Sequence, residues 1–153
     1  MRIQNITEIT GPNVFHYRPV LVLRLDLEAL AGCESKNVPG FVARLLDRLP
    51  GLREHHCSRG RAGGFVERLQ EGTYFGHVVE HVAIELSHLA DISVNFGKTV
   101  SAGPRGVYDV AVRYRSAPAM RFLMETAVEL VAALVAGTSY PLDERLAQAR
   151  QIV

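Results

Sequence analysis

The stretch Gly76-His77-Val78-Val79-Glu80-His81-Val82-Ala83-Ile84-Glu85-Leu86 constrains this chain more than any other. At about 100° per residue, His77, Glu80, His81, Glu85 and His88 share one polar arc of a helix, opposite Val78, Val79, Val82, Ala83, Leu86, Leu89 and Ala90. A central, histidine-rich amphipathic helix is therefore expected, with Thr73 as its cap and Asp91 near its end. His77 and His81 stand one turn apart on the same face, close enough to share one metal ion. Glu80 directly precedes the second histidine, which gives the order His-x-x-Glu-His, the inverse of the zinc-peptidase helix motif. In that chemistry neutral imidazoles hold zinc, and the glutamate is the base toward a water whose pKa the metal lowers to roughly 7.

The motif supplies two ligands, whereas a catalytic zinc site takes a third from the protein and keeps one position open. Glu85 lies roughly 12 Å along the axis from His77. That is too far to share the ion, so Glu85 suits a supporting or substrate-facing role. The polar, glycine-rich segment Glu54-His55-His56-Cys57-Ser58-Arg59-Gly60-Arg61-Ala62-Gly63-Gly64 offers better candidates, His55 first and Cys57 second. The plainer alternative is a polar helix face that happens to be rich in histidine, beside a surface connection.

Flanking segments indicate an α+β domain spanning 1–153, with a small, largely antiparallel sheet packed with helices. Residues 2–10 read as a first strand, before the turn signal Gly11-Pro12-Asn13. The clearest strand is 20–27, whose later half alternates strictly, as a half-buried antiparallel strand should. After a polar loop at 32–37, a helix begins near Pro39 with the stripe Phe41, Leu45, Leu46 and Leu49, and Pro50 ends it. A short helix covers 65–70. Residues 95–99 read as a strand edge, and 107–114 as a second well-patterned strand beyond the turn at 103–106. Ser116 and Pro118 open a long helix that Gly137 stops, with Met120, Leu123, Ala127, Leu130 and Leu134 on its buried face. The last helix, after Tyr140-Pro141, is expected to be largely exposed.

Composition excludes more than it assigns. A net charge of +1 gives no case for bulk binding to nucleic acid or membrane. No apolar run approaches the roughly 20 residues of a membrane span. The start, Met1-Arg2-Ile3-Gln4-Asn5, lacks the apolar core of a signal peptide, which sets a cytoplasmic expectation. Cys33 and Cys57 are too few for a disulfide framework. There is no Gly-x-x-x-x-Gly-Lys-Ser/Thr phosphate loop, so no ATP site is expected.

Many ordered segments together resemble one family, the N-terminal domain of cyanophycin synthetase. They include Gly11-Pro12-Asn13, Leu25-Asp26-Leu27-Glu28, Val38-Pro39-Gly40-Phe41, Leu49-Pro50-Gly51-Leu52 and Glu54-His55-His56-Cys57-Ser58. The likeness continues through Gly63-Gly64-Phe65-Val66-Glu67-Arg68, Glu71-Gly72-Thr73-Tyr74, Gly76 to His81, Glu85-Leu86, Phe96-Gly97-Lys98-Thr99, Gly106-Val107-Tyr108 and Tyr140-Pro141. The resemblance implies a domain that binds and positions cyanophycin, a poly-aspartate backbone bearing arginine on its side chains. In some members it implies a zinc metallopeptidase that cuts the polymer internally to make short primers. His77, Glu80 and His81 carry over, with Glu85 nearby.

If the chain is a fragment, its partners would be ATP-grasp and Mur-ligase-like modules; self-association into an oligomer is left open. For such a polymer, Glu54, Glu67, Glu71 and Glu85 are candidates to read arginine guanidinium groups. Arg59, Arg61 and Arg68 are candidates to pair with free carboxylates. The site is expected as an open groove on the exposed helix face. The alternative function is a non-catalytic cyanophycin-binding, tethering and oligomerisation module.

Overall fold

A computed structural model describes residues 1–152. The apolar runs expected as strands form the middle of a four-stranded antiparallel sheet, ordered β1-β2-β4-β3. The strands are β1 (Arg2–Ile9), β2 (Val20–Asp26), β3 (Gly97–Ser101) and β4 (Val107–Arg113). Leu21, Leu23 and Leu25 of β2 face the helices beside Val110 and Val112 of β4, all fully buried. On the other face Val20, Val22 and Ala111 are covered by Ile9, Phe15 and Phe96. Beyond that patch the outer face turns polar, and Arg24 donates to both Asp109 carboxylate oxygens at 2.8 Å, in register across the two strands. The later half of β2 thus alternates as expected, while its first half is buried on both faces. The register shift between Ile3 and Asn5 explains the less regular pattern of β1. The edge strand β3 begins at Gly97, later than the sequence suggests.

The described residues form five α-helices, α1 (Phe41–Arg48), α2 (Gly64–Glu71), α3 (Phe75–Leu89), α4 (Ala117–Ala136) and α5 (Leu142–Gln151), of which α3 and α4 lie against the sheet. The long helix α4 starts where Ala119 N–H donates to the Ser116 hydroxyl at 3.4 Å. It ends on Gly137, whose φ of 71° is the left-handed conformation that glycine adopts without penalty. Its expected apolar stripe is buried, and Met124, Val128 and Val131 are buried as well. The exposed last helix buries Leu142, Leu146 and Ala149. The polar stretches expected as loops contain 3₁₀ turns, at Ser35–Asn37, Pro50–Glu54 and Cys57–Arg59. Among the described residues, no helix is long and apolar enough to cross a membrane.

The central helix departs from expectation. It is not an amphipathic surface helix, because nearly every position from Phe75 to Ser87 is buried, Glu80, His81 and Glu85 included. Its apolar side packs on α4, and β3, β4 and the Pro50–Glu54 turn close over the polar arc. A helical period identifies a polar arc but not what covers it. Thr73 is not the cap either: Tyr74 occupies that place without a side-chain bond, and Thr73 Oγ1 pairs with His77 Nδ1 at 3.0 Å.

Candidate metal centre

The buried polar arc of α3 lines a cleft of about 1050 Å³, walled by the 3₁₀ turns on one side and β3 on the other. Two glycines make room for its carboxylates. A methyl group at Gly51 would lie 1.9 Å from Glu85 Oε1, and one at Gly97 would lie 2.6 Å from Glu80 Cγ. The walls therefore approach the helix so closely that no larger residue fits without moving an acid.

Ligand atoms of Cys57, His77 and His81 all lie within 4.8 Å of one another. Cys57 Sγ is 3.3 Å from His77 Nε2. Each histidine has its other nitrogen engaged: His77 Nδ1 on Thr73 Oγ1 at 3.0 Å, His81 Nδ1 on His55 Nδ1 at 2.9 Å. His55 Nε2 in turn meets Glu85 Oε2 at 3.0 Å. A carboxylate only accepts, so Glu85 takes the Nε2–H of His55; His55 then accepts from His81 at Nδ1, leaving the His81 lone pair on Nε2. The His81 ring stacks on Phe65 of α2, centroids 3.9 Å apart. Phe65 N–H also donates to the His55 carbonyl at 3.2 Å, which ties the start of α2 to the 55–57 turn. Cys57 itself has a φ of 55°, a left-handed conformation rare outside glycine. Such backbone clusters at functional sites.

Burial sets the charge states. It lowers the His77 pKa to about 4, with help from the Arg68 cation, and that of His81 to about 2. Both imidazoles are therefore neutral near pH 7, the state in which histidine ligates metal. A thiolate–imidazolium pair between Cys57 and His77 is disfavoured for the same reason. Burial also raises Glu80 to about 7, partly offset by the Thr99 hydroxyl, which donates to Glu80 Oε2 at 2.6 Å. The other Glu80 oxygen is 3.9 Å from His81 Nε2. Two neutral imidazoles and a cysteine sulfur, with a carboxylate beside them, are a donor set that fits a zinc ion.

The residues singled out in the sequence divide between cleft and surface. His77, His81 and Cys57 share one cluster, whereas His55, the first-choice third ligand, groups with Glu85 and His88. Glu54 and Arg68 line the cleft. Glu67 and Glu71 do not; they pair on the surface with Arg59 and Arg61, Glu67 accepting from Arg61 at 2.7 Å and Glu71 from Arg59. Those ion pairs occupy the charges that a ligand would need. Thr73, Thr99, Phe65, Gly51 and Gly97 were not singled out as site residues. They carry no motif spacing of their own and reach the site only through the fold.

The fold and cleft together define an α+β domain built around a centre of part-buried Cys57 and His77 beside buried His81, Glu80 and Glu85. Residues 22–136 match the family described as the cyanophycin synthase-like N-terminal domain. The chain is 44% identical to the cyanophycin synthetase of Crocosphaera subtropica over 146 residues, 94% of this chain and 17% of that protein. It is 43% identical to that of Trichormus variabilis (94% and 16%) and 42% identical to that of Synechocystis sp. (94% and 17%). The chain belongs to the cyanophycin synthase-like N-terminal domain family. It spans about a sixth of the length of these relatives.

Proposed function

We propose that this chain is a zinc-dependent endo-hydrolase of cyanophycin that cuts the polymer backbone into short primers. The observation that carries the reading is the convergence of Cys57, His77 and His81 within 4.8 Å, with Glu80 on the same cleft. Zinc held there by those three residues would supply Lewis-acid polarisation of a peptide carbonyl and a more acidic water. Glu80, buried but bordering the cleft, takes the proton from the attacking water and returns it to the leaving amine. Thr99 holds the Glu80 side chain in place for that transfer. Glu85 and His55 orient His81. Arg68 lines the cleft, its Nε buried without a hydrogen-bond partner among the described residues, and suits the free carboxylates of the polymer's arginines. Tyr74, Lys98 and Asn95 at the margin are exposed, so the cleft is reachable by the middle of a long chain.

The test combines stoichiometry with products. Elemental analysis of the zinc-loaded chain should give about one zinc per chain, the count a Cys/His/His site requires. Mass spectrometry of early digests should show multi-residue oligomers before single Asp-Arg dipeptides. Dipeptides released one at a time from an end would sink internal cleavage. No products despite tight polymer binding would favour a tethering module instead.

A smaller effect is expected at Gly97. Its backbone is one that alanine adopts, but the new methyl group meets Glu80 Cγ and Ile84 Cδ1. Gly97→Ala should keep zinc and fold while slowing hydrolysis roughly 10-fold, through displacement of the base. Unchanged kcat would show that Glu80 yields to the methyl at no cost.

A further inference from the structure

We infer that the free edge of β3 binds an extended polypeptide main chain by strand addition and lays it along the cleft; the inference rests on the hydrolase reading above and specifies how its substrate is held. The sheet order leaves β3 with one neighbour, β4, and therefore one unpaired edge. The register identifies which groups face outward. Arg113 N–H donates to the Phe96 carbonyl, and Ala102 N–H donates to the Val107 carbonyl. With pairing Lys98↔Ala111 and Val100↔Asp109 between those two contacts, the amides and carbonyls of Lys98 and Val100 are turned toward β4. The amides and carbonyls of Gly97, Thr99 and Ser101 are turned away, and among the described residues they make no hydrogen bond. These groups repeat every second residue, roughly 7 Å apart, which is the spacing of an added strand.

This edge differs from the other one, on β1, in what it borders. Gly97 and Thr99 line the cleft, and the Thr99 side chain touches Glu80. A main chain paired on β3 consequently runs past the base and the Cys57, His77 and His81 cluster. The occupant is an α-linked poly-aspartate backbone, whose alternate side chains would point toward the cleft and toward solvent. Main-chain pairing accepts any position along such a uniform polymer and needs no free end.

Amide hydrogen exchange read by NMR tests the inference directly. The probe is a cyanophycin oligomer of about six Asp-Arg repeats, added to the zinc-loaded Glu80→Gln chain so that it stays uncut. Gly97, Thr99 and Ser101 amides should exchange rapidly without oligomer and slow at least about 10-fold with it, while Lys98 and Val100 are already slow and change little. Slowing at the cleft without that alternation overturns the inference. Ser101→Pro, which deletes one outward N–H and leaves the β4 ladder whole, should weaken oligomer binding roughly 5-fold, the scale of one hydrogen bond. Ser101→Ala, which keeps the N–H, should bind as the parent does; equal losses in both variants would overturn the inference. Cleavage of polymer without edge protection would leave the hydrolase reading standing and remove strand addition. Edge protection in a chain that never cuts would do the reverse.

Discussion

Glu80→Gln is expected to cost at least about 100-fold in the rate of polymer cleavage, the usual scale for losing a general base. Zinc and oligomer binding should persist, because the amide keeps the shape of the side chain and still accepts from Thr99. Rates equal to the parent would remove Glu80 as the base. The same substitution has an opposite effect on stability in the zinc-free chain. The folded pKa of Glu80 is raised from 4.5 to about 7 because burial disfavours its charge. Its contribution is thus a cost, absent below about pH 4.5, growing through the interval, and complete above about 7. Removing a shift of that size should stabilise the zinc-free variant by roughly 3 kcal/mol at pH 8, and by almost nothing at pH 4. Denaturant titrations at the two pH values measure the difference. A side chain kept at a cost to the fold is what a functional group looks like, and loss of activity paired with gain of stability is the signature to seek.

The second large effect is loss of the metal. A His77→Ala, His81→Ala double variant should bind no zinc and cleave no polymer. Cys57→Ala should do the same, because a three-ligand site left with two holds zinc poorly. His55→Ala should retain stoichiometric zinc with affinity lowered by about 10- to 100-fold, the range for deleting a partner that orients a ligand. Competition with a calibrated chelator separates these outcomes. Full loss of zinc in His55→Ala beside full retention in Cys57→Ala would reverse the assignment of the third ligand. Undiminished affinity in the double variant would place any zinc elsewhere.

Much of the scaffold was legible because its signals are local. The alternation of β2, the Ser116 and Gly137 boundaries of α4, and the offset of His77, Glu80 and His81 each lie within one element. What surrounds that polar arc was not legible. The turn at Cys57 and the strand at Gly97 reach α3 from opposite sides in sequence, and glycines at 51 and 97 leave room there for Glu85 and Glu80. Cys57 and His55 are separated by one residue, so composition alone cannot choose between them. The fold distinguishes them: the left-handed backbone at Cys57 brings its sulfur to His77, while His55 pairs with Glu85. Glu67 and Glu71 are near the cleft in sequence, but in the fold they pair with Arg59 and Arg61 outside its lining.

The separation of Cys57 and His77 by 20 positions has a further consequence, since all of α2 lies between them. A ligand gripped by both residues closes that segment into a loop, with Phe65 inside it pressed against His81. The helix then cannot peel away from the core while both ends are tied. Closure also removes configurations from the unfolded chain, a gain that changes only slowly with loop length. Occupancy and folding become one equilibrium: at a ligand concentration 1,000 times its dissociation constant, the folded form gains about 4 kcal/mol. In a chain whose cleft walls converge from distant segments, the resident ion would act as a fastener for the very helix that shapes its pocket.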